Sequence, residues 1–136
     1  MAKIKAHTRY KNTDGKVVPG VTTILGNLGW NKNILVAWAK RTALAGDDPT
    51  KVMEHAGAIG SLAHYLCECH IKGEEPDTSD YTSEQIEKAE NAFLGYLEWE
   101  KMVKPEYAAI EMKMVSEEFQ VGGTCDFVAR INGALV

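Results

Sequence analysis

Gly122-Gly123-Thr124-Cys125-Asp126-Phe127-Val128-Ala129-Arg130-Ile131, followed by Asn132-Gly133, decides the fold class. From Thr124 onward the residues alternate: Cys125, Phe127, Ala129 and Ile131 turn one way, Asp126, Val128 and Arg130 the other. A period of two is the signature of a strand. Asn-Gly supplies the two positive-φ positions of a tight hairpin turn, so Ala134-Leu135-Val136 opens a further strand. Upstream, Ile110, Met112 and Met114 alternate with Glu111 and Lys113 in a strand over Tyr107 to Val115, and Glu117-Glu118 makes a polar turn. The C-terminal third is therefore a sheet.

The residues before it read as helices and one hairpin. Asn12-Thr13-Asp14-Gly15 is turn-rich and predicts a hairpin over Arg9 to Val18, broken by Pro19-Gly20. Thr22 or Thr23 is expected to cap a short helix over Ile24 to Leu28, ended by Gly29. Asn31 or Asn33 is expected to cap a second helix through Ala45, with Leu35, Trp38, Ala39 and Thr42 at helical spacing and Gly46 just past its end. Asp48-Pro49 starts a long helix that stops at Gly73. Gly57 and Gly60 interrupt it, each costing about 1 kcal/mol relative to alanine, which predicts a kink or a close backbone approach. Thr82-Ser83-Glu84-Gln85 is a capping box and opens a helix to about Met102, with Ala89, Phe93, Tyr96, Leu97 and Glu100 on one side. Pro105 forbids its continuation.

The chain has 136 residues, of which 45% are hydrophobic. That suits one packed domain. No apolar run approaches the roughly 20 residues that span a bilayer, and Met1 to Tyr10 is polar and basic, unlike a secretory signal. Three cysteines, Cys67, Cys69 and Cys125, fit a reducing, cytoplasmic setting better than a disulfide scaffold. Charge is uneven. Residues 1–46 hold eight basic groups against one acid, a net charge of +7, which leaves −11 for the rest of a chain whose total is −4. Such asymmetry predicts either an anionic partner or a merely solvated basic hairpin. The overall pI near 5.6 argues against indiscriminate coating of nucleic acid and leaves room for a local basic groove.

Two sets of residues could carry chemistry. Gly57-Ala58-Ile59-Gly60-Ser61-Leu62-Ala63-His64 places a histidine after two small residues; alone, it reads more simply as a hydrogen-bonding residue at a tight helix crossing. Asp126 lies in a strand otherwise rich in apolar residues, where an acid is either solvated or paired with a cation.

Together these segments resemble the PD-(D/E)XK nuclease superfamily, in its RecB-like and phage-exonuclease branch. The resemblance starts at Val18-Pro19-Gly20-Val21-Thr22-Thr23-Ile24-Leu25 and continues through Leu35-Val36-Ala37-Trp38-Ala39 and the Gly57, Gly60, His64 helix. Glu111, Gly122-Gly123-Thr124-Cys125-Asp126-Phe127-Val128 and Asn132-Gly133 complete it. The order and spacing of these segments carry it, over nearly the whole chain. It implies an α+β domain over residues 1–136 with a restriction-endonuclease-like core: a mixed, twisted sheet built from the C-terminal strands and flanked by helices. It implies metal-dependent hydrolysis of DNA phosphodiesters by an exonuclease of phage or prophage recombination. Asp126 would be the central metal-binding aspartate, His64 an additional ligand, and Glu111 the upstream acid. Mg²⁺ or Mn²⁺ suits that donor set, imidazole adding preference for Mn²⁺. Thr22, Thr23 and Lys40 are candidate contacts to DNA phosphates, while Trp38 is expected in the core.

The family places an Asp/Glu-x-Lys motif on the strand after the Asn-Gly turn. Here that strand starts at Ala134 and the sequence ends at Val136. The expectation is thus a domain incomplete at its C-terminus, with the nuclease fold but impaired cleavage. Glu111-Met112-Lys113 also reads as Glu-x-Lys and is taken as coincidence, since Pro105-Glu106 is too near to face it across a hairpin. Three cysteines cannot hold a four-thiolate cluster, so no iron–sulfur cluster is expected. A zinc site from His64, Cys67 and Glu68 has poor ligand spacing. The alternatives are a non-cleaving DNA- or protein-binding module, and an inactive fragment that forms a homo-oligomer through an exposed sheet edge.

Overall fold

A computed structural model describes residues 9–29 and 32–136. The cap expected of Asn31 lies outside the described residues. The elements, in order, are β1 (Tyr10–Lys11), β2 (Val17–Val18), α1 (Val21–Leu28), α2 (Lys32–Leu44), α3 (Pro49–Lys72), α4 (Ser83–Val103), β3 (Glu106–Ser116), β4 (Val121–Ile131) and β5 (Ala134–Leu135). The chain is an α+β protein.

Local chemistry sets most of the boundaries. The Asp48 side chain accepts a bond from Thr50 N, Pro49 sits in the first turn, and Gly73 closes α3 at φ 70°. Thr82 and Gln85 form the reciprocal capping box of α4, which satisfies amides that would otherwise lack partners. Helix α1 differs from expectation. Its N-cap is Gly20, with no side-chain cap, so Thr22 and Thr23 lie within the first turn. Asn33 likewise lies inside α2.

β3, β4 and β5 form an antiparallel sheet in that order, and β1 and β2 form an antiparallel hairpin. The expected mixed sheet is not what forms. Among the described residues the one parallel contact is an isolated bridge between Gly20 and Gly122. The reason is the short turns: residues 117–120 and Asn132-Gly133 can join only antiparallel neighbours. Asn132 and Gly133 both take positive φ, 51° and 81°.

The β1–β2 hairpin is sewn to the start of β4. Asn12 Nδ2 donates to Gln120 Oε1 at 2.8 Å and Thr13 N to Glu117 Oε1 at 2.8 Å. Gly122 N donates to Pro19 O at 2.9 Å. The Tyr10 and Thr124 hydroxyls meet at 2.8 Å. Gly122 lies under the Tyr10 side chain so closely that an added Cβ would collide with Tyr10 Cβ and Cγ.

The core sits between α3 and α4, where Leu62, Leu66 and Ala89 are buried among Ile59, Ala63, Tyr65, Tyr81, Ile86 and Phe93. α1 and α2 contain no buried residue. Trp38 is half-buried, not a core residue, and Leu35 is exposed. α3 runs unbroken through Gly57 and Gly60, and a Cβ on either would meet no atom within 4 Å. Neither glycine serves a close helix crossing; both border an open cleft.

A second polar cluster joins α3, α4 and β3. Glu100 Oε1 accepts from Tyr107 at 2.8 Å and from Tyr96 at 3.0 Å, and Glu100 Oε2 accepts from His70 Nε2 at 2.7 Å. The two tyrosine hydroxyls also bond each other. Burial would raise the Glu100 carboxyl, but the bonds from His70, Tyr107 and Tyr96 outweigh it and hold it below its ordinary value. Burial pushes the Tyr107 phenol up to about 12.

Candidate metal centre

α3 and the β3–β4 pair enclose a cleft of about 430 Å³ lined by Gly57, Gly60, Ser61, His64, Tyr65, Glu68, Glu111 and Asp126. His64 lies on α3 two turns before the helix ends. Asp126 lies midway along β4. Their side chains meet: His64 Nδ1 is 3.4 Å from Asp126 Oδ1, and both side chains are more than 60% exposed. Asp126 is exposed, whereas its neighbour Phe127 is half-buried against the rings of Trp99 and Tyr107.

Glu111 reaches the same place from β3. The flanking pairs Ile110–Phe127 and Met112–Cys125 put Glu111 directly across from Asp126. Its backbone is left-handed, φ 49°, within an eleven-residue strand. Burial, and then the charges of Glu68 and Asp126, raise its carboxyl; His64 and Lys72 pull the other way. Carboxylates brought together resist joint ionisation, and a cation between them removes that cost.

The donors fit a hard divalent ion in part. Two ligands each about 2.1 Å from one octahedral cation, at right angles, stand roughly 3 Å apart, close to the His64–Asp126 separation. Carboxylate oxygen and imidazole nitrogen are the donor types that Mg²⁺ and Mn²⁺ accept. Among the described residues, however, no three His, Cys, Asp or Glu side chains are gathered closely enough to hold a metal. That also disfavours zinc on His64, Cys67 and Glu68, and burial pushes the Cys67 thiol up, against the thiolate that zinc needs.

The structure thus brings together His64, Glu111 and Asp126. Thr22, Thr23 and Lys40 line neither this cleft nor the adjoining smaller one. Thr22 and Thr23 lie at the start of α1, beside the Gly20–Gly122 bridge, and Lys40 is exposed on α2. Glu106 and Glu111 share one strand, so Pro105-Glu106 and Glu111-Met112-Lys113 cannot face each other. Sequence reasoning weighs Glu68 only for zinc, yet it lines both clefts. Its signal was the four-residue step from His64, which repeats at Lys72.

Among the described residues no helix is long and apolar enough to cross a membrane. Comparison with protein-family models, with curated proteins and with solved structures found no match to this chain.

Proposed function

We propose that the chain is a metal-dependent deoxyribonuclease domain with a restriction-endonuclease-like core, of the RecB-like exonuclease kind its sequence resembles. The observation that carries this reading is the approach of His64 to Asp126 across the α3–β4 gap, with Glu111 opposite Asp126. Residues that are separate in sequence, and that the resemblance names as ligands, converge on one open cleft. His64 and Asp126 would hold Mg²⁺ or Mn²⁺, with Glu111 a third ligand. Such an ion polarises a phosphodiester and lowers the pKa of bound water. Thr22 and Thr23, in the first turn of α1, and Lys40 are proposed to steady DNA phosphates away from the cleft.

One observation favours a second reading, a DNA-binding module that does not cut: among the described residues no three His, Cys, Asp or Glu side chains are gathered closely enough to hold a metal. Calorimetric titration with Mn²⁺ at low salt, on the chain and on Asp126→Ala, tests the site. Binding that disappears in the variant supports a metal centre at His64 and Asp126. No binding to either chain removes the nuclease reading. Metal binding without cleavage of linear DNA selects the module.

A further inference from the structure

We propose that the chain associates with copies of itself head to tail, the outer side of α2 in one copy resting on the outer side of α4 in the next. The inference goes beyond the nuclease reading and does not depend on it.

Trp38, Ala39 and Thr42 are half-buried and mark the side of α2 that faces the protein. Val36, Lys40 and Leu44 follow one another at four-residue steps on the opposite side, with Arg41 beside them. Val36 is 68% exposed and Leu44 78%. No acid lies between Val21 and Leu44 to offset Lys32, Lys40 and Arg41. Among the described residues none of the three forms an ion pair.

α4 carries the complement. Glu90, Leu94 and Glu98 also run at four-residue steps, all exposed, on the side away from buried Ala89 and half-buried Phe93 and Tyr96. Glu84 and Glu100 of the same helix are paired with Lys88 and His70, whereas among the described residues Glu90 and Glu98 form no ion pair. One cation, Lys101, lies at the end of this row. The two rows match in kind: an apolar residue between two carboxylates, and an ammonium between two apolar residues with a guanidinium beside it. Opposed, they pair unlike charges and cover apolar side chains of both.

The partner is a second copy because the chain itself holds both signs, +7 over residues 1–46 and −11 over the remainder. Both rows are exposed, so they do not meet within one molecule and pair only between molecules. DNA would engage Lys40 and Arg41 through its phosphates but leave Val36, Leu44 and the α4 row uncovered. A contact between two different surfaces extends head to tail.

The test is sedimentation velocity over a range of protein concentrations, at low and at high salt. At low salt the average mass should climb above 15.0 kDa as concentration rises, and high salt should reverse this by screening the charges. Lys40→Gln with Arg41→Gln, and Glu90→Gln with Glu98→Gln, should each weaken association about tenfold. Glu74→Gln with Glu75→Gln, exposed in the loop after α3, should leave it unchanged. Each of the first two variants keeps one surface intact, so mixing them should restore the parental affinity in a complex that stops at two chains. A chain that stays at 15.0 kDa at low salt overturns the proposal. So does association that survives both pairs of substitutions, as pairing through the sheet edge would, or that the loop control weakens equally. A mixture of the two variants that stays apart overturns it as well.

Discussion

Glu111 stands across the β3–β4 ladder from Asp126, between the pairs Ile110–Phe127 and Met112–Cys125, and it does so with a left-handed backbone. Opposed residues in an antiparallel pair are close neighbours, and like charges there repel. The position is therefore unfavourable twice over, in backbone and in charge. Left-handed backbone costs a non-glycine residue roughly 1–2 kcal/mol, and strain of this kind gathers at functional sites.

Replacing Glu111 by glycine should accordingly raise stability by about 1 kcal/mol, once the entropy cost of glycine is set against the relieved strain. The raised carboxyl adds a pH dependence of definite sign. A group with a raised folded pKa favours the fold below its ordinary value and loses that contribution as pH rises through the folded value. The gain from Glu111→Gly should thus be larger at pH 7 than at pH 4. Urea unfolding at both pH values checks this; a variant less stable than the parent at pH 7 contradicts it.

Asp126→Asn should separate function from folding. Both partners of the His64–Asp126 contact are mostly exposed, and exposed ion pairs contribute about 0–1 kcal/mol. The variant is expected to unfold within about 1 kcal/mol of the parent and to lose Mn²⁺ binding. A large loss of stability would make the pair a structural one.

Tyr107→Phe removes a 2.8 Å bond to the ionised Glu100, and bonds to charged groups contribute about 1.5–3 kcal/mol. Destabilisation by about 2 kcal/mol is expected at pH 7. Because the Tyr107 phenol is raised to about 12, its folded-state advantage is whole below the ordinary value of 10 and is lost between pH 10 and about 12. Stability of the parent should fall across that window. The fall attributable to Tyr107 should be absent in the variant, as monitored by circular dichroism during urea titration.

Gly122→Ala and Gly57→Ala should move stability in opposite directions. The first puts a methyl group into Tyr10, and overpacking of this kind costs about 1–3 kcal/mol. The second meets no atom within 4 Å on an exposed stretch of α3 and should add up to about 1 kcal/mol by helix propensity. Thermal midpoints of the two variants, measured side by side, decide the matter.

The sequence by itself determined the elements and their ends. Asp48-Pro49 with Gly73, Thr82 with Gln85, and Asn132-Gly133 act through hydrogen bonds and backbone preferences that span a few residues, so their outcome is written in the local string. Alternation in Thr124 to Ile131 likewise made the strand legible. Where sequence reasoning missed, the deciding partner was distant. Gly57 and Gly60 suggested close packing because glycine permits it, yet these two face an open cleft. Thr22 and Thr23 suggested caps, but the contact of Gly20 with Gly122 starts α1 earlier.

Only the tertiary structure decided that Glu111 opposes Asp126, that His64 reaches Asp126, and that Glu68 joins their cleft. Those relations depend on the register set by the 117–120 turn, which holds unbroken from Ser116–Val121 to Ala109–Val128. They depend equally on how α3 lies against the sheet once Leu62 and Leu66 pack on α4. A register shift of one residue would turn Asp126 to the other face. Burial of apolar surface, acting over the whole chain, is what selects this register and so assembles the cleft.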